Sequence, residues 1–293
     1  MASENNSQNT ADREIRISRL LSAPRELVWE VFTRPEHLVN WWGPNGFSTT
    51  IQSMQVVPGG LLELVLHGPD GTNYKNKSIY KEVVKPERIV FEHITAPKFI
   101  TTIEFIAEGT RTRLNWHMLF ESKEQFEQVV KVFKADEGLT QNVEKLELYI
   151  IRQPIIVERL LNAPVARVWS AITDKQEMKK WYFDLAEFKP EPGFVFEFLG
   201  GADPDIQYVH ICEITEVVKE QKLTYSWKYK GYGGISHVSF ELFPQGDKTL
   251  LKLTHTGIDS FPASNIDFAK GNFLEGWNHI IHTSLKEYLE LVH

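Results

Sequence analysis

The chain repeats itself, and that repetition constrains its fold more than any other feature. Arg19-Leu20-Leu21-Ser22-Ala23-Pro24 returns 140 residues later as Arg159-Leu160-Leu161-Asn162-Ala163-Pro164. At the same offset Val28-Trp29 returns as Val168-Trp169, Thr33 as Thr173, and Trp41-Trp42 as Trp181-Tyr182. Glu137-Gly138-Leu139 returns as Glu275-Gly276-Trp277, 138 residues on. Matches at both ends of so long a unit mean two copies of a whole domain, because solenoid repeats run only about 20–45 residues. A length of 293 residues agrees, since single cores seldom grow past about 250–300. The expected division is a disordered tail over 1–12, a first domain over 13–151 and a second over 152–293.

Each copy opens with a strand pattern, Glu14–Leu21 and Ile155–Leu161. The Ala-Pro pair then stops the strand, because proline donates nothing to a ladder and its fixed φ suits a first helical turn. Short helices over Arg25–Phe32 and Val165–Ile172 follow. Thr33-x-x-Glu36 and Thr173-x-x-Gln176 have capping-box spacing and are expected to start a second short helix. The middle of each copy alternates with period two, as in Leu223, Tyr225, Trp227, Tyr229 and in Ile89, Phe91, His93. Such alternation buries one face of an antiparallel sheet and wets the other. Turn residues separate the rows at Pro58-Gly59-Gly60, Pro192-Gly193 and Gly231-Tyr232-Gly233-Gly234.

Each copy closes with one amphipathic stripe: Leu139, Val143, Leu146, Ile150, and Leu274, Trp277, Ile281, Leu285, Tyr288, Val292. The first copy carries an additional helical piece over Phe126 to Phe133. Strand, two short helices, about six strands and a long helix make an α+β domain, with the helix laid over a curved antiparallel sheet.

Composition excludes several classes. The chain is 42% hydrophobic and 24% charged, which is ordinary for a folded protein. A net charge of −7, spread over both halves, lacks the basic excess that a phosphate backbone requires, so no nucleic-acid partner is expected. No apolar run approaches the ~18–20 residues of a membrane span, so no membrane partner is expected. Cys212 has no second cysteine to pair with. The opening residues lack the basic-then-apolar order of a secretory signal, so a cytoplasmic location is expected.

The residues Trp41-Trp42-Gly43-Pro44-Asn45-Gly46-Phe47, Pro58-Gly59-Gly60, His67-Gly68-Pro69-Asp70-Gly71, Lys85-Pro86-Glu87-Arg88 and Glu275-Gly276-Trp277 carry a family resemblance. The chain resembles the AHSA1-type family, named after the C-terminal domain of an Hsp90 ATPase activator, within the START/Bet v 1-like (SRPBCC) superfamily. The resemblance covers nearly everything after residue 12, twice. It implies two tandem helix-grip domains, each a seven-stranded sheet wrapped on its C-terminal helix with the short helices plugging one end. It also implies an apolar cavity between sheet and helix that holds small hydrophobic molecules. Co-chaperone action with a chaperone partner is the alternative it implies, and cavity chemistry of the cyclase or hydratase kind is another.

No catalytic residue, metal site or cofactor is read from the residues. There is no His-Glu-x-x-His, no Gly-x-Ser-x-Gly and no phosphate loop. His279 and His282 lie off the closing stripe, and Cys212 lies in a strand-like run where a thiol is usually a small core hydrophobe. An enzyme would need His255 or His93 beside Glu104 or Glu197. The candidate ligand-binding set is Trp41, Trp42, Phe91, His93 and Trp116 in the first copy. In the second it is Trp181, Tyr225, Trp227, His255, Trp277 and Ile281. These aromatic groups either line a cavity or fill it, and each histidine either orients a ligand or is satisfied by its neighbours. Gly276 beside Trp277 is expected at a close approach of helix to sheet or ligand. Unequal cavities are expected, the second copy being the more family-like. The chain is expected to be a monomer or a dimer, with a small hydrophobic ligand as its partner.

Overall fold

A computed structural model describes residues 10–203 and 205–291. The chain divides into two compact units, residues 1–150 and 151–293. Of the tail expected over 1–12, residues 1–9 lie outside the described residues, as does Val292 of the second stripe. Arg13 donates its backbone N–H to the Thr10 carbonyl in a turn that leads into the first strand.

The first unit runs β1 (Glu14–Leu21), α1 (Arg25–Thr33), α2 (Pro35–Leu38) and β2 (Ser48–Met54). Strands β3 (Leu61–His67), β4 (Asn73–Val84), β5 (Arg88–His93), β6 (Phe99–Glu108) and β7 (Arg111–Phe120) follow. Helices α3 (Lys123–Phe133) and α4 (Ala135–Arg152) close it. The seven strands form one sheet in the order β1-β7-β6-β5-β4-β3-β2. The additional helical piece is α3, and Lys134, at φ 48°, turns the chain from it into α4. Its Phe126, Val129 and Val130 pack on the core. Leu139, Val143, Leu146 and Ile150 are all buried, as their spacing requires.

The second unit runs β8 (Ile155–Leu161), α5 (Val165–Thr173) and α6 (Lys175–Met178). Its remaining strands are β9 (Val195–Asp203), β10 (Ile206–Val218), β11 (Lys222–Tyr229), β12 (Ser236–Gln245) and β13 (Lys248–Thr256). Among the described residues its sheet has six strands in the order β8-β13-β12-β11-β10-β9. The expectation of seven fails here. Pro58-Gly59 corresponds to Pro192-Gly193, so the second unit has six residues fewer between its aromatic pair and that turn, Tyr182 to Pro192 against Trp42 to Pro58, and the stretch that forms β2 is shortened.

The closing helix of the second unit has three parts: α7 (Lys270–His279), a π-helical stretch (Ile280–Leu285) and α8 (Lys286–Leu291). A π turn holds one residue more than an α turn would. The repeat offset shows that surplus. Leu139 corresponds to Trp277 and Val143 to Ile281 at 138, but Leu146 corresponds to Leu285 and Tyr149 to Tyr288 at 139. The π stretch absorbs the surplus residue and keeps Leu285, Tyr288 and Leu289 on the buried face.

Three local readings are corrected. Thr33 and Thr173 do not cap the second helices. Each ends the first helix, its hydroxyl donating back to the carbonyl of Trp29 at 2.7 Å and of Trp169 at 2.6 Å. The caps are Arg34, with no side-chain bond, and Asp174, whose carboxylate accepts the N–H groups of Gln176 and Glu177. Pro24 and Pro164 stand at the N-caps in extended conformation rather than inside the first turn. Gly276 is exposed, and a Cβ there would meet nothing within 4 Å, so close approach does not explain it.

Candidate functional site

In the first unit the sheet and α4 line a cavity of about 220 Å³ that is open on one side. Leu62, Leu64 and Leu66 of β3 form one wall, and Phe91, Trp116 and Met118 of β5 and β7 form another. Trp42 closes one end, and Leu139 of α4 covers the space from the helix side. Polar side chains enter from Asn76 and Ser78 on β4, His93 on β5, Thr101 on β6 and Asn142 on α4. No carboxylate, lysine or arginine is among the described residues that line it, and His93 is neutral, so the interior carries no charge. Pro44, Ala135 and Gly138, all partly exposed, reach its edge.

The aromatic break between α2 and β2 is tied to α4 by hydrogen bonds. The buried N–H of Gly43 donates to Oδ1 of Asn142 at 2.8 Å, and Lys145 Nζ donates to the Gly43 carbonyl at 2.9 Å. Asn45 donates its N–H to Oε1 of Gln141 at 3.0 Å. Gly43 has φ 107°, where only glycine rests without strain, and a Cβ would lie 3.1 Å from Cδ2 of Leu66. This fixed turn sets Trp42 against Trp116, their rings 5.3 Å apart.

His93 is held by its neighbours. Nδ1 lies 2.8 Å from the Pro97 carbonyl, which can only accept, so Nδ1 carries the proton. Nε2 lies 3.0 Å from the Thr95 hydroxyl and 3.1 Å from the Asn76 amide oxygen. The ring stacks on Phe99 at 4.6 Å. Burial lowers its pKa, which keeps it neutral at pH 7. Ser78 and Thr101 differ from it. Both are buried, at 4% and 1% exposure, and both line the cavity. Among the described residues neither hydroxyl has a hydrogen-bond partner.

The second unit offers the same frame with larger side chains. Ser78 pairs with His93 across β4 and β5, as Cys212 pairs with Trp227 across β10 and β11. Leu62 pairs with Ser78, as Phe196 pairs with Cys212. By that register Leu62 and Leu64 become Phe196 and Phe198, His93 becomes Trp227, and Leu139 becomes Trp277. The rings fill the space between sheet and helix. Trp277 lies 5.7 Å from Trp227 and 6.0 Å from Phe240, and Phe198 lies 5.4 Å from Trp227. Trp277 donates its indole N–H to Nδ1 of His255 at 2.9 Å, and Nε2 of His255 lies 2.7 Å from the Ser236 hydroxyl. The hydroxyls of Tyr182 and Tyr225 meet at 3.0 Å. Burial pushes both phenols and the Cys212 thiol up in pKa, so all three stay protonated.

The residues read from the sequence therefore fall into three groups. Trp42, Phe91, His93 and Trp116 line the first cavity. Trp41 and Trp181 are buried plugs whose indole N–H groups donate to the carbonyls of Val31 and Ala171 at 3.2 and 2.9 Å. Tyr225, Trp227, His255, Trp277 and Ile281 belong to the packed interior of the second unit. The leucines of β3, with Ser78, Thr101 and Asn142, were not singled out. Asn142 stands three residues beyond Leu139 on the buried stripe, a helical spacing that could have revealed it.

Among the described residues neither His93 nor His255 contacts a carboxylate. Glu197 is exposed, and Glu104 accepts a hydrogen bond from Asn115. His279 is exposed, and the half-buried His282 lies 3.4 Å from Arg159, which with burial lowers its pKa. Among the described residues no three His, Cys, Asp or Glu side chains gather as a metal site, and no helix is long and apolar enough to cross a membrane.

A family model described as Activator of Hsp90 ATPase homolog 1-like protein matches residues 22–150 and again 162–290. Solved structures of single-domain size are similar to one half at a time. A protein from Arthrobacter aurescens is 21% identical over 49% of this chain and 88% of its own, with a TM-score of 0.46. One from Nitrosomonas europaea is 23% identical over 48% of this chain and 95% of its own, with a TM-score of 0.43. One from Chromobacterium violaceum is 24% identical over 47% and 96%, with a TM-score of 0.43. No curated protein matches the chain.

Proposed function

We propose, from the premise that this chain belongs in both halves to the Activator of Hsp90 ATPase homolog 1-like family, that its first domain binds small apolar or amphipathic molecules without transforming them. The observation that carries this reading is the cavity of about 220 Å³ under α4. Its walls are leucine, phenylalanine and tryptophan, with a few polar groups set among them, which is the usual make-up of a ligand site. An engineered apolar cavity of about 150 Å³ already takes up benzene. The matching space in the second domain is occupied by Trp277, Trp227 and Phe198.

Non-catalytic binding is favoured over chemistry because neither His93 nor His255 has an acid or base beside it. His93 is committed to Pro97 and Thr95, and His255 to Trp277 and Ser236. Proton transfer needs a partner within about 2.6–3.2 Å of the reacting group.

Native mass spectrometry of freshly purified protein tests the proposal. The expected result is a small molecule that stays with the wild-type protein and is lost in Leu139→Trp, which copies the second domain's filled interior. A protein that carries no such mass and takes up no apolar dye would remove the reading.

A further inference from the structure

Two observations about the first cavity are not explained by packing. Ser78 and Thr101 place hydroxyls in its wall, both residues are more than nine-tenths buried, and among the described residues neither hydroxyl has a partner. The two hydroxyls open onto the cavity, where a bound molecule can reach them, and the buried N–H of Trp116, which has no partner among the described residues, stands in the same wall. The second domain carries less polar side chains at the same register. Ser78 corresponds to Cys212, and Thr101, which pairs with Phe91, corresponds to Val238, which pairs with Tyr225. The hydroxyls stand where there is room and are replaced by less polar side chains where rings fill the space.

The second observation is charge. Every lining side chain is uncharged. A carboxylate or ammonium entering this site would lose its hydration and find no counter-charge, a cost far above that of a neutral polar group. Size and shape narrow the occupant further. The space exceeds a benzene-sized cavity and falls below the ~300–1,000 Å³ of drug-sized sites. Its walls include the faces of Trp42, Trp116 and Phe91, and aromatic faces pack well against flat rings.

We propose that the first cavity is specific for an uncharged one- or two-ring molecule bearing a hydroxyl or carbonyl group, held by the hydroxyls of Ser78 and Thr101. This rests on the reading of that cavity as a ligand site. A serine or threonine hydroxyl both donates and accepts, so either substituent is served. A ring lacking such a substituent fits the walls and leaves both hydroxyls unpaired.

Equilibrium dialysis of the full chain at pH 7 against 2-naphthol, naphthalene and 2-naphthoate tests the proposal. The three probes share one ring system and differ in hydrogen bonding and charge. The expected order is 2-naphthol about 5–10-fold tighter than naphthalene, the increment of one hydrogen bond, with 2-naphthoate at least tenfold weaker than 2-naphthol. The Ser78→Ala, Thr101→Val double variant removes two unpaired hydroxyls and should fold at least as well as the wild type. It should keep naphthalene and lose the preference for 2-naphthol. Leu139→Trp should lose all three probes, which assigns the binding to this cavity. Equal binding of 2-naphthoate, or a preference that survives the double variant, overturns this inference and leaves the ligand site standing. Failure of all three probes to bind overturns the site itself and this inference with it.

Discussion

Trp277 donates its indole N–H to Nδ1 of His255 at 2.9 Å, and that single bond sets the state of the ring. Nδ1 accepts only when unprotonated, so the proton sits on Nε2, which donates to the Ser236 hydroxyl at 2.7 Å. Burial, with His237 nearby, pushes the imidazole pKa down to about 3. In the unfolded chain the same group takes up its proton near pH 6.5. Between these values the unfolded state binds more protons, so stability falls as pH drops through that window. From pH 6.5 to pH 5 the expected loss from this group is about 2 kcal/mol. Urea unfolding of the wild type and of His255→Leu at pH 7, 6 and 5 checks it. The variant should start lower, with the Trp277 N–H and the Ser236 oxygen each losing a partner, and show the shallower acid slope. Equal slopes would mean that His255 does not govern the acid limb.

The same pair predicts what happens when the second domain is given the first domain's leucine. Trp277→Leu removes the donor to His255 and opens a space beside Trp227 and Phe240. Large-to-small changes in a packed core cost about 2–5 kcal/mol, so we expect a loss of about 3 kcal/mol in urea unfolding. The variant should also take up an apolar dye in the second domain. A loss below about 1 kcal/mol would show that the rings around Trp277 close the gap by themselves.

The two caps of the short second helices give opposite forecasts. Asp174 accepts from the N–H groups of Gln176 and Glu177 at 2.8 and 3.0 Å, so Asp174→Ala should cost about 1 kcal/mol. Arg34 makes no side-chain cap, so Arg34→Asp should stabilise the first domain by about 0.5–1 kcal/mol. Thr173→Ala should cost less than Asp174→Ala, because its hydroxyl only bonds back to Trp169. Thermal melts of the three variants rank these effects, and a reversed order for Asp174 and Thr173 would reinstate the threonine as the cap.

Much of the architecture was legible because it rests on periodicity. The rows ending at His93 and Tyr229 and the stripe from Leu139 to Ile150 are buried as their spacing requires. The missing strand of the second sheet follows from a shorter segment, Tyr182 to Pro192 against Trp42 to Pro58, a difference that only the aligned repeat makes visible. The cavity was not legible. Trp42 and Trp277 are both large, inward and aromatic, yet one walls a void and the other fills one. The difference lies in their neighbours, the leucines of β3 that line the cavity with Trp42 and the rings of Trp227 and Phe240 that pack on Trp277. Only register brings those residues together. Ser78 and Thr101 escaped notice because a hydroxyl in a strand is ordinary until its partners can be counted.

The closing helix of the second domain carries the last expectation. A surplus residue in an α-helix would rotate everything after it by about 100°. Instead the π stretch Ile280–Leu285 takes up the residue, and Tyr288 still reaches Oε2 of Glu177 at 3.1 Å. The first domain has no surplus, and its Tyr149 meets His37 at 2.8 Å from the corresponding position. If the π turn does no more than absorb the extra residue, deleting the exposed Thr283 should give a continuous α-helix with the buried face unchanged. Stability should then stay within about 1 kcal/mol of the wild type, since no core contact is lost. Deleting the exposed Glu275 instead rotates Trp277 away from His255 and should cost several times more. Urea unfolding of the two deletions separates the cases. Equal damage from both would mean that the π turn is itself required for the packing of the second domain.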